Sequence, residues 1–215
     1  MKVLCAEIFN DLEGFSYGFS VRRGRFPEEE NIEIHIGYGD LSRRLMIIKV
    51  FSGRLPHYRK WVEVFSINSA VMLGEKSFTF LNSVYEDRLI RCISEFLGPG
   101  EKVFIEYTYD EDTRRAVEVG IPPHLTRLGY KLFQHGFTWF KDWYFPEGFM
   151  EGGPKLQAEK PISDDVRTKH IRDLCLQSFS SVNLLESLGR SSSLYKLMQG
   201  VIKTYQEFTG RYCRD

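Results

Sequence analysis

Four short stretches rich in β-branched and aromatic residues, 18–23, 32–36, 45–51 and 59–67, are set apart by Gly, Pro, Asn and Asp in the first third of the chain. They predict an antiparallel meander. In the fourth, Trp61, Glu63 and Phe65 share one face and Val62, Val64 and Ser66 the other, so that Glu63 lies between two aromatics. The apolar spacing then turns helical over 83–97, where Ser83 and Glu86 fit a capping box and Val84, Leu89, Ile90, Ile93, Phe96 and Leu97 recur along one stripe. Gly98-Pro99-Gly100 ends that helix. Residues 102–109, KVFIEYTY, follow as a strand suited to the middle of a sheet, and helix followed by strand implies a crossover.

Asp110 and the acids after it open a short helix that Gly120 and Pro122 stop, and Pro123 opens another carrying Leu125, Leu128, Leu132 and Phe133 up to Gly136. An aromatic strand over 137–145 comes next. Helix, strand, helices and strand make a mixed α/β fold. From Ser163 onward the pattern is helical, with Val166, Ile171, Leu174 and Phe179 in one segment. In another, Leu194, Leu197, Met198, Val201, Ile202, Tyr205 and Phe208 form an apolar stripe. The chain thus divides into an α/β domain over 1–162 and a helical extension over 163–215 packed on it, the stripe serving as core or as a contact with a second subunit.

Composition changes this picture little. With 215 residues and 42% hydrophobic content, one sizeable core is within reach. Lys+Arg and Asp+Glu are both 29, which gives no overall attraction to nucleic acid or anionic membrane. Cys5, Cys92, Cys175 and Cys213 lack any C-x-x-C spacing and read as reduced core thiols. An acid at Glu7 and the lack of a long apolar run predict a soluble cytoplasmic chain with no membrane span.

The candidate chemistry gathers around the aromatic run. Positions 137–149 hold seven aromatic side chains, and a strand with aromatics on both faces must be covered on both. Trp139, Lys141, Asp142, Trp143, Glu147 and Glu151 are the candidate substrate residues: Lys141 and Asp142 face opposite ways, and the acids at 147 and 151 either draw in a cationic group or turn the chain. Lys155 and Lys160 read as phosphate anchors or as solvated lysines. Glu106, in the middle of a central strand, is either a base or the partner of Arg114, Arg127 or Lys141, and Glu63 invites the same two readings. Tyr107 and Tyr109 fall opposite Glu106 if the strand is regular. No P-loop, G-x-G-x-x-G, H-E-x-x-H or G-x-S-x-G occurs, the five histidines are dispersed, and Gly37-Tyr38-Gly39 reads as a hairpin turn.

FIEYTYDEDT (Phe104 to Thr113), GIPPHLTRLGYKLFQHGF (Gly120 to Phe137) and the run on to Pro161 resemble an uncharacterised, mainly archaeal protein family. That family is in turn similar to GNAT-type N-acetyltransferases in element order and in the Leu132-Phe-Gln-His-Gly-Phe137 step. The resemblance implies a GNAT-like mixed, mostly antiparallel sheet flanked by helices and splayed between the strands at 59–67 and 102–109. Acetyl-CoA would lie in that gap, with its diphosphate at the helix start near Asn82 and Ser83, and Tyr107 beside the cofactor. Glu106 or Glu63 would be the base and Tyr130 or Tyr144 the acid. Two positions depart from the pattern: residues 68–83 hold only Gly74 of a glycine-rich diphosphate loop, and Leu132 stands where many such enzymes have tyrosine.

The function expected first is acyl-CoA-dependent N-acyl transfer to a small-molecule or protein amine. A non-catalytic binding or assembly protein on the same scaffold, forming a homodimer, is the alternative. An S-adenosylmethionine-dependent methyltransferase, suggested by the LGPGEKVFIE step ending at Glu106, is third. Nucleic acid is not expected, because Glu147 and Glu151 would repel its backbone.

Overall fold

The computed structural model describes residues 6–53, 59–65, 68, 70–143, 153–188 and 194–213. The meander forms as the sequence predicts: β1 (Ser16–Arg23), β2 (Glu29–Tyr38), β3 (Leu41–Phe51) and β4 (Trp61–Phe65) are antiparallel neighbours. Tyr38 pairs with Leu41 across a two-residue turn in which Gly39 takes φ +58, a left-handed value that costs glycine nothing. A small hairpin, β5 (Ala70–Leu73) and β6 (Lys76–Thr79), precedes the first long helix, α1 (Val84–Phe96). Its four-residue strands were invisible to periodicity.

The crossover brings β7 (Lys102–Glu106) parallel to β4. Then come α2 (Glu111–Glu118), a 3-10 turn over Pro123–Leu125, α3 (Arg127–Gln134), β8 (Trp139–Trp143) and β9 (Lys155–Glu159). The seven-stranded sheet runs β1-β2-β3-β4-β7-β9-β8, and among the described residues β4 with β7 is its one parallel pair. The strand expected over 102–109 stops at Glu106, because Tyr107–Tyr109 turns into a 3-10 helix and the Tyr107 amide bonds the Pro154 carbonyl. Tyr107 and Tyr109 still part from Glu106, because both are buried in the main hydrophobic core.

One sheet face is apolar. Val62 and Val64 of β4, Val103 and Ile105 of β7, and Leu156 and Ala158 of β9 join Leu89, Ile90 and Ile93 of α1 and Leu128 and Leu132 of α3 in the main core. Ile32, Ile34 and Ile36 extend it across β2, and each of these side chains is buried. Fully burying a residue of this size contributes about 1.5–3 kcal/mol, so this layer holds the sheet to its helices.

A second cluster carries α4 (Asp164–Ser180), α5 (Val182–Leu188) and α6 (Tyr195–Tyr212). Met198, Val201 and Phe208, from the stripe, are buried against Leu125, Tyr130 and Phe133, so the stripe serves as core of this chain. Two cysteines depart from the reduced-thiol expectation: Cys175 of α4 and Cys213 after α6 form a disulfide with Cα atoms 5.6 Å apart. They lie 38 residues apart with no spacing motif, and only helix packing brings them together. Cys92 is buried in the main core.

His124 sits in this second layer with its ring edge-on to Phe208 and Nε2 2.8 Å from Ser178 Oγ. Burial pushes its pKa down to about 3. The folded state therefore refuses a proton that the unfolded chain accepts near pH 6.5, and stability should fall by up to about 1.4 kcal/mol per pH unit below 6.5, down to the folded value. Urea unfolding at pH 7 and pH 5.5 checks this against a His124→Gln variant, which should show a shallower loss. Equal losses in the two proteins would refute it.

Candidate functional site

The face of the sheet opposite the main core is polar and aromatic. Cα register aligns Lys49 with Glu63, Glu63 with Phe104, Phe104 with Gln157, and Gln157 with Lys141, which sets a row of alternating character across β3, β4, β7, β9 and β8. Residues in register share a face, so Trp61, Phe65, Lys102, Glu106, Lys155, Glu159 and Trp139 flank this row. None of its aromatics Phe51, Trp61, Phe65, Phe104 or Trp139 belongs to either hydrophobic cluster. Phe51 and Trp61 stack with centroids 3.9 Å apart.

Charge is buried in this face. Glu63 and Lys155 form an ion pair whose side chains are 2% and 0% exposed. The Lys155 ammonium lies 5.9 Å and the Lys49 ammonium 5.2 Å from the Phe65 ring centre, so the same ring faces both cations. Lys155 is thus neither a solvated lysine nor a free phosphate anchor, because β9 inserts it into the sheet beside Glu63. Glu106, 6% exposed, accepts hydrogen bonds from Thr108 Oγ1 at 3.0 Å and the Gly153 amide at 2.9 Å. Arg114 and Arg127, two of its expected partners, bind other acids.

The helix starts make a separate polar centre. Ser83, Asp110 and Thr126 cap α1, α2 and α3, each accepting a backbone N–H three residues on. Glu86, fully buried, accepts from Tyr109 Oη, both terminal nitrogens of Arg127 at 2.9 Å, Lys131 Nζ at 2.8 Å and the Asn82 amide at 3.0 Å. Arg127 also donates through Nε to Asp110 and through Nη1 to Asn82. Burial alone would raise the Glu86 pKa, but the bonds from Arg127, Lys131 and Tyr109 outweigh it and hold the carboxyl below its ordinary value. Burial, then the Glu86 charge, pushes the Tyr109 hydroxyl well up. The capping box predicted from sequence is displaced by one residue, since Glu86 bonds Asn82 instead of the Ser83 amide.

This arrangement bears on acetyl-CoA. A diphosphate needs unspent donors or cations, and the ones here are committed to Glu86 and Asp110, two carboxylates that already neutralise the helix ends. The pantetheine arm needs an opening between β4 and β7, yet these strands stay in register from Trp61 with Lys102 to Val64 with Ile105. The expected splay is not found over those residues, because continuous pairing satisfies their backbone groups. The residues present around Asn82 and Ser83 do not fit the cofactor.

The other predicted residues divide plainly. Glu63, Glu106, Trp139 and Lys141 share the polar face, while Asp142 lies on the opposite side of β8 and accepts from Tyr107 Oη at 2.8 Å. Tyr130 is remote from both groups, stacked on Phe133 in the second cluster, where burial raises its pKa. Tyr144, Glu147 and Glu151, and the side chain of Trp143, lie outside the described residues. Sequence reading missed Gln157, Phe104, Lys131 and the role of Glu86. Only the acidic position three residues after Ser83 hinted at the last.

A family model described as "Protein of unknown function (DUF1122)" matches residues 14–183. The chain belongs to the DUF1122 family. The matched stretch of this DUF1122 chain spans the whole sheet, both polar centres and α4. Among solved structures, it is similar to a protein of unknown function, AQ1966, from Aquifex aeolicus VF5. The identity is 32% and the TM-score 0.67, with 95% of this chain and 98% of that one covered. No curated protein matches the chain.

Proposed function

We propose that this DUF1122 chain is a non-catalytic assembly protein on a GNAT-like scaffold, pairing with a second copy through the sheet face around Glu63. One observation carries the reading: the carboxylates that would do chemistry are engaged by the chain's own groups. Glu63 is held by Lys155, Glu106 by Thr108 and Gly153, and Glu86 by five donors. A base acts through a lone pair aimed at a substrate proton. What the face presents instead is partly exposed aromatic surface at Trp61, Phe65, Phe104 and Trp139 among lysines paired with glutamates, Lys49 with Glu29, Lys102 with Glu159 and Lys155 with Glu63. Aromatic centres are enriched at interfaces, and a patch with no excess charge does not repel its own copy across a two-fold axis.

Sedimentation over a concentration series tests this. The wild type should associate as a dimer and Phe104→Glu should sediment as a monomer with its fold intact. A wild-type monomer at every concentration overturns the proposal.

N-acyl transfer to an amine is the second reading. It is favoured by the parallel pair of β4 and β7, each strand carrying a carboxylate, Glu63 or Glu106, on the same face. Calorimetric titration with acetyl-CoA separates the two, with S-adenosylmethionine as the comparison ligand for the methyltransferase alternative. We expect no heat of binding from either. Micromolar affinity for acetyl-CoA alone would overturn the assembly reading and make Glu106→Gln, with lost turnover and retained affinity, the next test.

A further inference from the structure

The second hydrophobic layer is closed by one helix and one covalent bond. Phe208 of α6 packs edge-on against Phe133 at 5.1 Å and against His124 at 4.9 Å, and Tyr212 meets Phe133 at 4.9 Å. Beneath them lie Leu125 and Ile121, with 0% and 1% exposure. The groove between α2, α3 and α4 is thus apolar and is covered by α6. The bond from Cys213 to Cys175 fastens the last turn of that cover to α4. Cys175 is buried, whereas Cys213 is half-buried and is the more accessible end of the bond.

We propose that the Cys175–Cys213 bond is a redox-sensitive clasp, which keeps α6 seated over the groove when oxidised and lets it lift when a dithiol reduces it. A thiolate of the dithiol attacks Cys213 Sγ, the Sγ–Sγ bond breaks and Cys175 leaves as a thiolate that takes up a proton. The second thiol of the reductant then displaces Cys213, giving two protein thiols and one oxidised dithiol. Two electrons and two protons pass to the protein.

The bond closes a loop of 38 residues, and its loss restores the corresponding chain entropy to any state in which α6 is detached. Loop-closure entropy of this size corresponds to a rise in the detached population on the order of several hundred-fold. Met198, Val201 and Phe208 still favour docking, so α6 opens locally while the sheet persists.

Hydrogen exchange on the folded wild type, before and after adding excess dithiothreitol, tests the clasp without requiring any variant to fold. On reduction the amides of α6 should lose protection by roughly two to three orders of magnitude while those of β4 and β7 keep theirs. The Cys213→Ser variant should match the reduced protein and be indifferent to reductant. Unchanged protection of α6 would overturn the proposal, as would a uniform loss that includes β4 and β7. A thiol assay that finds Cys175 and Cys213 reactive in the denatured, unreduced protein would overturn it as well.

Discussion

Replacing Lys155 by methionine will cost about 3–5 kcal/mol of folding stability, because it leaves the Glu63 carboxylate in a site nearly closed to water with its cation gone. Methionine has similar length and keeps contact with the Phe65 ring, so lost packing explains little of the effect. The converse change, Glu63→Leu alone, should be comparably damaging through the stranded ammonium. The double variant Glu63→Leu with Lys155→Met should recover most of the loss, since an apolar pair of similar volume needs no ionic partner. Urea unfolding of the four proteins completes the cycle. A single-variant cost below about 1 kcal/mol, the ordinary worth of an exposed pair, would show that water reaches the site and that the face is open there.

Glu86→Gln should be the second large effect, at about 3 kcal/mol, the lower end of what breaking a buried pair costs because Arg127 and Lys131 keep part of their surface in water. Its pH signature separates it from a packing defect. The folded pKa of Glu86 lies below its unfolded value, so its contribution is present above about pH 4.5 and disappears as pH falls through the folded pKa. The wild type should therefore lose stability relative to Glu86→Gln on acidification below pH 4.5, and the gap between them should narrow. A constant gap down to pH 2.5 would mean that the charge contributes nothing and that the carboxamide merely disturbs the helix starts. Three helices begin at this centre, so the variant should also lower the protection of the first turns of α1, α2 and α3.

Elements with a strong local signature were legible without coordinates. The Ser83 and Asp110 caps, the helix that starts after Ser163, the Gly39 turn and the four meander strands all appear where residue chemistry puts them. Strand β9 was not legible: Lys155-Leu-Gln-Ala-Glu159 has little β propensity, and it forms because β7 and β8 both pair with it. With β9 unread, the buried Lys155 beside Glu63 was out of reach. The two acids marked as candidate bases did fall on one face, but what they touch comes from Gly153, Thr108 and Lys155. The helix-start centre shows the same limit from another side. Position 86 carries a capping acid by sequence logic, yet Arg127 and Lys131, 41 and 45 residues further on, decide that it is a buried charge.

By itself the sequence determined the four meander strands, the helices that follow them with the Ser83 and Asp110 caps, and which face of β4 would carry Glu63. These depend on neighbours within a few residues, where φ/ψ preference, side-chain period and hydrogen-bond reach act directly. The tertiary structure alone decided that β4 and β7 stay paired, that Glu63, Lys155, Glu106 and Glu86 are engaged from within the chain, and that Cys175 meets Cys213. The β4–β7 pairing, the bonds from Lys155 to Glu63, Gly153 to Glu106 and Lys131 to Glu86, and the disulfide each join residues 38 or more positions apart, set by how whole elements pack and not by anything encoded beside either partner.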